Sequence, residues 1–155
     1  MSIYSDVVDA WMADLVANVS GLSTAIQHKY APWSPEEFYT EGIAERHVAV
    51  WPELDAEVTE PLTTAGDRMS TQTYAVAVWE DASDTQGRLQ DDDTANAAWL
   101  TLAEGIRARL MRSASFQLGS ASVMSTDYLG TQFDRSGTLR VLRIGFRCRV
   151  PLVRS

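Results

Sequence analysis

The chain has 155 residues, of which 45% are hydrophobic and 22% charged; this fits one domain of ordinary size and excludes wholesale disorder. A single cysteine, Cys148, excludes an internal disulfide framework, and together with only two histidines, His28 and His47, it leaves too few ligands for a zinc site. Thirteen basic against 21 acidic residues give a formal net charge of −8, which disfavours sequence-independent binding of nucleic acid, since that needs a positive field.

The charge is unevenly placed. After Asp134 come six arginines (Arg135, Arg140, Arg143, Arg147, Arg149, Arg154) and no acid. The preceding residues hold seven basic and all 21 acidic groups, a net of −14. One reading is a solvated strand face. The other is a contact surface for an acidic partner, including another copy of the same chain, because opposite fields on one molecule permit head-to-tail rings. Asp6, Asp9 and Asp14 interrupt the apolar N-terminal stretch well short of the roughly 20 residues of a membrane span. No basic segment of a secretion signal precedes it, so the expected place of synthesis is a cytoplasm, and no membrane partner is expected.

In chain order, residues 3–19 predict a helix: Val7, Val8, Trp11, Met12, Leu15, Val16 and Val19 recur at three- and four-residue spacing, and Ser20-Gly21 supplies a stop. Residues 22–43 are irregular, with a short helix expected from Ser34-Pro35-Glu36-Glu37 to about Gly42. Residues 45–51 read as a strand ended by Pro52, and Val58 centres a weak strand limited by Pro61. Residues 70–80 are the clearest central strand, with Tyr74, Val76 and Val78 on one face and Ala75, Ala77 and Trp79 on the other. A polar, Asp-rich loop (residues 81–93) leads into a helix over 93–112, whose buried stripe is Trp99, Leu102, Ala103, Ile106 and Leu110. Residues 115–126 suggest one strand, and Gly130 and Asp134–Gly137 suggest turns. The last strand, 138–150, points Leu142, Ile144, Phe146, Cys148 and Val150 one way and Arg143, Arg147 and Arg149 the other. The expected architecture is a single α+β domain over residues 1–155, a mostly antiparallel sheet with two main helices on one face.

Candidate chemistry is sparse. Cys148 lies mid-strand on the apolar face, where a desolvated thiol stays neutral. His47 is expected to be structural and His28 solvated. No serine sits in a Gly-x-Ser-x-Gly turn, and no glycine-rich phosphate loop is present. Lys29 is the only lysine and has no neighbour in sequence that would depress its pKa. Asp81, Ser83, Thr85 and Asp92 fall at positions 1, 3, 5 and 12 of a calcium-loop register, but Gln86 stands where glycine is needed and position 12 is not glutamate. Glu53, Asp55, Glu57 and Glu60 are acids that also suit a charged strand edge. Trp51, Tyr74, Trp79 and Trp99 are candidates for lining a ligand pocket, the alternative reading of a small binding protein or enzyme.

The combination of these elements resembles the tail terminator proteins of long-tailed bacteriophages. It consists of the amphipathic N-terminal helix, the proline-marked segment, the Val48-x-Val50-Trp51-Pro52 strand, the strand ending Trp79-Glu80, the Asp-rich loop entering the Trp99–Leu110 helix, and the C-terminal strands with alternating arginines. The similarity spans nearly the whole chain and rests on pattern, which a head-tail stopper or another neck or minor tail protein would share. It implies a homohexameric ring in the virion neck or tail, assembled in the host cytoplasm. The ring would cap the tail tube, end its polymerisation and meet the head-side connector or stopper. DNA would pass through the lumen unbound, without catalysis or cofactor. By position, the Arg143, Arg147 and Arg149 face and the acids Asp81, Asp84, Asp91 and Asp92 are the expected contacts between subunits or with the tube protein.

Overall fold

A computed structural model describes residues 3–29, 45–53, 58–61, 68–81, 93–111, 116–118, 121–123, 125–136 and 139–152. The elements are α1 (Ile3–Asn18), β1 (Ile26–Lys29), β2 (His47–Pro52), β3 (Val58–Pro61), β4 (Arg68–Asp81), α2 (Asp93–Met111), β5 (Phe116–Leu118), β6 (Ala121–Val123), β7 (Ser125–Ser136) and β8 (Leu139–Leu152). The main sheet runs β1-β2-β4-β8-β7, with β3 also paired to β4, and β5 and β6 form a separate antiparallel pair. All pairings are antiparallel except β1 with β2. This is the expected α+β arrangement. The short helix expected at 34–42 lies outside the described residues.

Strands β4 and β8 are the centre. They pair over their full length, from Arg68 opposite Leu152 to Asp81 opposite Leu139. Because side chains alternate across a strand, the even-numbered residues of β2, β4 and β8 all face the two helices. Val48, Val50, Tyr74, Val76, Val78, Leu142, Ile144, Phe146 and Cys148 are buried there with Val7, Trp11, Leu15, Trp99, Ile106 and Leu110. Trp11 meets Phe146 edge-on at 5.6 Å between centroids, and Tyr74 stacks on Phe146 at the same separation. Each such side chain contributes roughly 1.5–3 kcal/mol by leaving water. The bidentate pair of Arg109 with Asp14 (Nη2 to Oδ1 2.6 Å, Nε to Oδ2 3.1 Å) ties α2 to α1.

The opposite face is not the plain polar surface that the arginine alternation suggests. Ala49, Trp51, Ala75, Ala77, Trp79, Leu139 and Val141 form a second buried apolar cluster there. The face is therefore divided, apolar over β2, β4 and the start of β8 and cationic over the rest of β8.

Four local readings change. β1 replaces part of the irregular 22–43 segment: four residues without apolar alternation carry little strand signal, and the strand exists by parallel pairing with β2. Residues 115–126 hold the β5–β6 hairpin and the start of β7 rather than one strand. Gly130 marks a β-bulge inside β7, not a turn: the register to β8 shifts between Tyr128 and Gly130, and the glycine's φ of 145° suits it to that irregularity. Asp134 likewise stays in the strand, opposite Val141, so the connection between β7 and β8 is confined to residues 137 and 138. Gly21, by contrast, follows the expected helix stop. Its φ is 98°, and a Cβ there would come within 2.8 Å of Arg46 Nη1.

The alternation along β8 gives a direct test. Phe146→Ala should destabilise the fold by about 3–5 kcal/mol, while its exposed neighbour Arg147→Ala should stay within about 0.5 kcal/mol. Urea denaturation midpoints read both.

Candidate functional site

The arginine row of β8 is set by strand register. Arg143, Arg147 and Arg149 project from the face opposite the helices, Arg143 and Arg147 exposed and Arg149 half-buried. Arg147 lies across from Asp127 on β7 and Thr73 on β4, and Arg149 across from Ser125 and Thr71. Arg143 is held within its own chain: its Nη2 donates to Glu53 Oε1, and its guanidinium lies 5.4 Å from the Trp51 ring centre. Arg147 and Arg149 are thus the row's outward charges. Asp81 ends β4 opposite Leu139, on the same face but ten residues along β8 from Arg149, roughly 33 Å at strand rise. The expected acids and arginines do not form one patch on the described part of this face. Asp84, Asp91 and Asp92 lie outside the described residues.

A second constellation was not singled out from sequence. Glu80 and Arg140 are directly opposite on β4 and β8 and both face the helices. Glu80 Oε1 accepts from Arg140 Nε (2.9 Å) and Nη2 (2.5 Å), and its Oε2 accepts from Arg46 Nε (2.8 Å). The Glu80 and Arg140 side chains are 1% and 5% exposed. Both guanidiniums approach Trp99 of α2, Arg140 at 4.5 Å and Arg46 at 5.9 Å from the ring centre, and Arg46 Nη1 donates to the Gly21 carbonyl at 2.9 Å. One carboxylate thereby joins β4, β8, the residue before β2, the end of α1 and the flank of α2. Arg140 does not belong with the exposed arginines around it. The available signal was phase: Glu80 and Arg140 occupy the even, core-facing positions of their strands. Burial pushes the Glu80 carboxyl up, but the hydrogen bonds and charges of Arg46 and Arg140 outweigh it and hold the group below its ordinary value.

His28 is not simply solvated. His28 Nε2 and His47 Nδ1 are 2.9 Å apart, and both rings stack with Trp79 at 5.4–5.5 Å on the face away from the helices. Burial lowers the pKa of His28; for His47 burial comes first, the His28 charge adds to it, and Glu45 opposes. The stack buries His47 and leaves His28 half-buried. Cys148 is buried, accepts from Trp11 Nε1 at 3.3 Å, and is pushed by burial up to about 11; a thiol so held is a weak nucleophile.

The four aromatics proposed to line a pocket do not meet. Tyr74 and Trp99 belong to the core under the helices and Trp51 and Trp79 to the cluster across the sheet. Among the described residues, a groove between α2 and β7 provides open space. It comprises adjoining cavities of about 430 and 230 Å³ that share Leu100 and Phe133. Among the described residues, no group of three histidine, cysteine or carboxylate side chains is placed to hold a metal ion, and no helix is long and apolar enough to cross a membrane.

No protein-family model and no curated protein matches this chain. Among solved structures, its fold is similar to that of a chain from the virion of a native gene transfer agent particle, with a TM-score of 0.51 and 16% sequence identity. The alignment covers 94% of this chain and 93% of that one, so the likeness is one of fold along the length of both.

Two measurements check this electrostatic account. Glu80→Gln leaves two guanidiniums without their carboxylate and should cost about 3–5 kcal/mol at pH 7. Since the folded pKa lies below the reference of 4.5, that contribution is whole above the reference and fades as pH falls through the folded value, so denaturation curves of wild type and variant should converge in acid. The histidines, held below 6.5 when folded, should make stability decline as pH drops under 6.5. His28→Gln should flatten that slope between pH 7 and 5.

Proposed function

We propose that this chain is a structural protein of a phage-like virion. In this reading it forms a homohexameric ring that caps the tail tube, ends tube polymerisation and joins the tail to the head-side connector or stopper. The observation that carries the reading is the fold likeness, along nearly the full length of both chains, to a chain of a gene transfer agent virion. The element pattern of the sequence supports the same assignment independently of that likeness.

The physical features suit a part that works by shape. The polar interactions described above act within the fold: Glu80 joins strands, Asp14 joins helices, and His28 meets His47 on one face of the sheet. Arg147, exposed, and Arg149, half-buried, are outward cations of β8 on a chain of net acidic charge, and in this reading they meet the acidic surface of a neighbouring subunit or of the tube. The acid excess suits a lumen through which DNA passes, because like charge repels its backbone. The chain would act without catalysis or cofactor, inside a virion assembled in the host cytoplasm.

Mixing the purified protein with tail tube subunits tests the reading. A terminator shortens the tubes and appears as a cap at one end in electron micrographs, whereas a head-tail stopper leaves tube length unchanged. The double variant Arg147→Glu, Arg149→Glu should lose most of the capping while keeping the circular dichroism spectrum of the folded monomer; undiminished capping would remove these arginines from the interface.

A further inference from the structure

The two ends of the main sheet differ. β1, at one end, is four residues long and carries Lys29. β7, at the other end, has twelve residues and pairs only with β8 among the described strands. Its residues 128–133 hold no charge and no proline, and Leu129 and Phe133 are 47% and 50% exposed. Leu100 of α2, 52% exposed, stands over the same edge and shares the groove with Phe133. A long apolar edge is a template for another strand unless something covers it, and beyond the Gly130 bulge β7 keeps a regular register to Ser136.

The charges indicate what covers it. α1 lies over β1 and β2, and α2 over β7 and β8. Residues 3–29, at the β1 end, carry Asp6 and Asp9 against Lys29, a net of −1 once Asp14, neutralised by Arg109, is left out. Residues 125–152, at the β7 end, carry Arg135, Arg147 and Arg149 against Asp127 and Asp134, a net of +1 once Arg140 and Arg143, neutralised by Glu80 and Glu53, are left out. Pairing the β7 end with itself would set positive against positive, while pairing it with the β1 end sets opposite charges together. The β1 end also offers an apolar contact, Ile26, which is 41% exposed.

We propose that the β7 edge and the α2 groove beside it receive the β1–α1 edge of a second copy of this chain, head to tail, so that the sheet continues from subunit to subunit. Such a heterologous contact closes into a ring when the rotation per subunit divides a full turn. The inference rests on the ring reading above and specifies which surfaces form it.

Cysteines at two exposed positions on the face away from the helices, Ile26→Cys on β1 and Gln132→Cys on β7, provide the test with a short bis-maleimide; the buried Cys148 thiol is a poor competitor. The double variant should cross-link into a ladder that ends at the ring, and each single variant should remain uncross-linked. Phe133→Lys, at an exposed position, should shift the mass in solution from ring to monomer without lowering the melting temperature appreciably. A dimer from Gln132→Cys alone would overturn the proposal in favour of self-pairing. A wild-type ring that yields no ladder and survives Phe133→Lys would overturn the edge contact and leave the ring standing. A wild type that stays monomeric even with tube subunits would overturn both.

Discussion

The full-length pairing of β4 with β8 is the constraint on which the rest depends. Fourteen residues of each strand are opposite one another, and a period of two then assigns every side chain to a face. One phase yields the core beneath α1 and α2. The other yields the smaller apolar cluster and, farther along β8, the arginine row. A slip of one residue would exchange these sets, placing Arg143 and Arg147 under the helices and Ile144 and Phe146 outside. The apolar pattern holds the register against that exchange.

Glu80 and Arg140 hold the same register in another way. They are the buried charged pair within the helix-facing phase, opposite each other and hydrogen-bonded to each other, with Arg46 on the second Glu80 oxygen. Breaking a buried pair of this kind is expensive because the remaining charge has no water, even where replacing the whole group with apolar side chains would be neutral. The triad's value is therefore positional: Trp99 fixes α2 over it, and the Gly21 carbonyl fixes the end of α1.

The candidate interface follows from what this interior leaves outside. Arg140 and Arg143 are engaged within the chain, leaving Arg147 and Arg149 to the surface. At the β7 edge the bulge at Gly130, the exposed Leu129 and Phe133, and the groove under Leu100 lie together. Exposed apolar side chains at the two sheet edges, Ile26, Leu129 and Phe133, suit assembly with neighbours, which agrees with the virion reading.

The sequence by itself determined the two helices, β2, β4 and β8, and the faces of β4 and β8, because burial of a regular element imposes a period that a single chain displays. It also identified Cys148 as a core thiol and the arginine row as outward-facing. The tertiary structure alone decided which strands are neighbours. That choice created β1, which exists through parallel pairing, turned Gly130 from an apparent turn into a bulge, and withdrew Arg140 from the surface to meet Glu80, sixty residues earlier in the chain. It also separated Trp51 and Trp79 from Tyr74 and Trp99, and brought His28 beside His47. Each of these is a contact between distant segments, and a distant contact leaves no local period in the residues that make it.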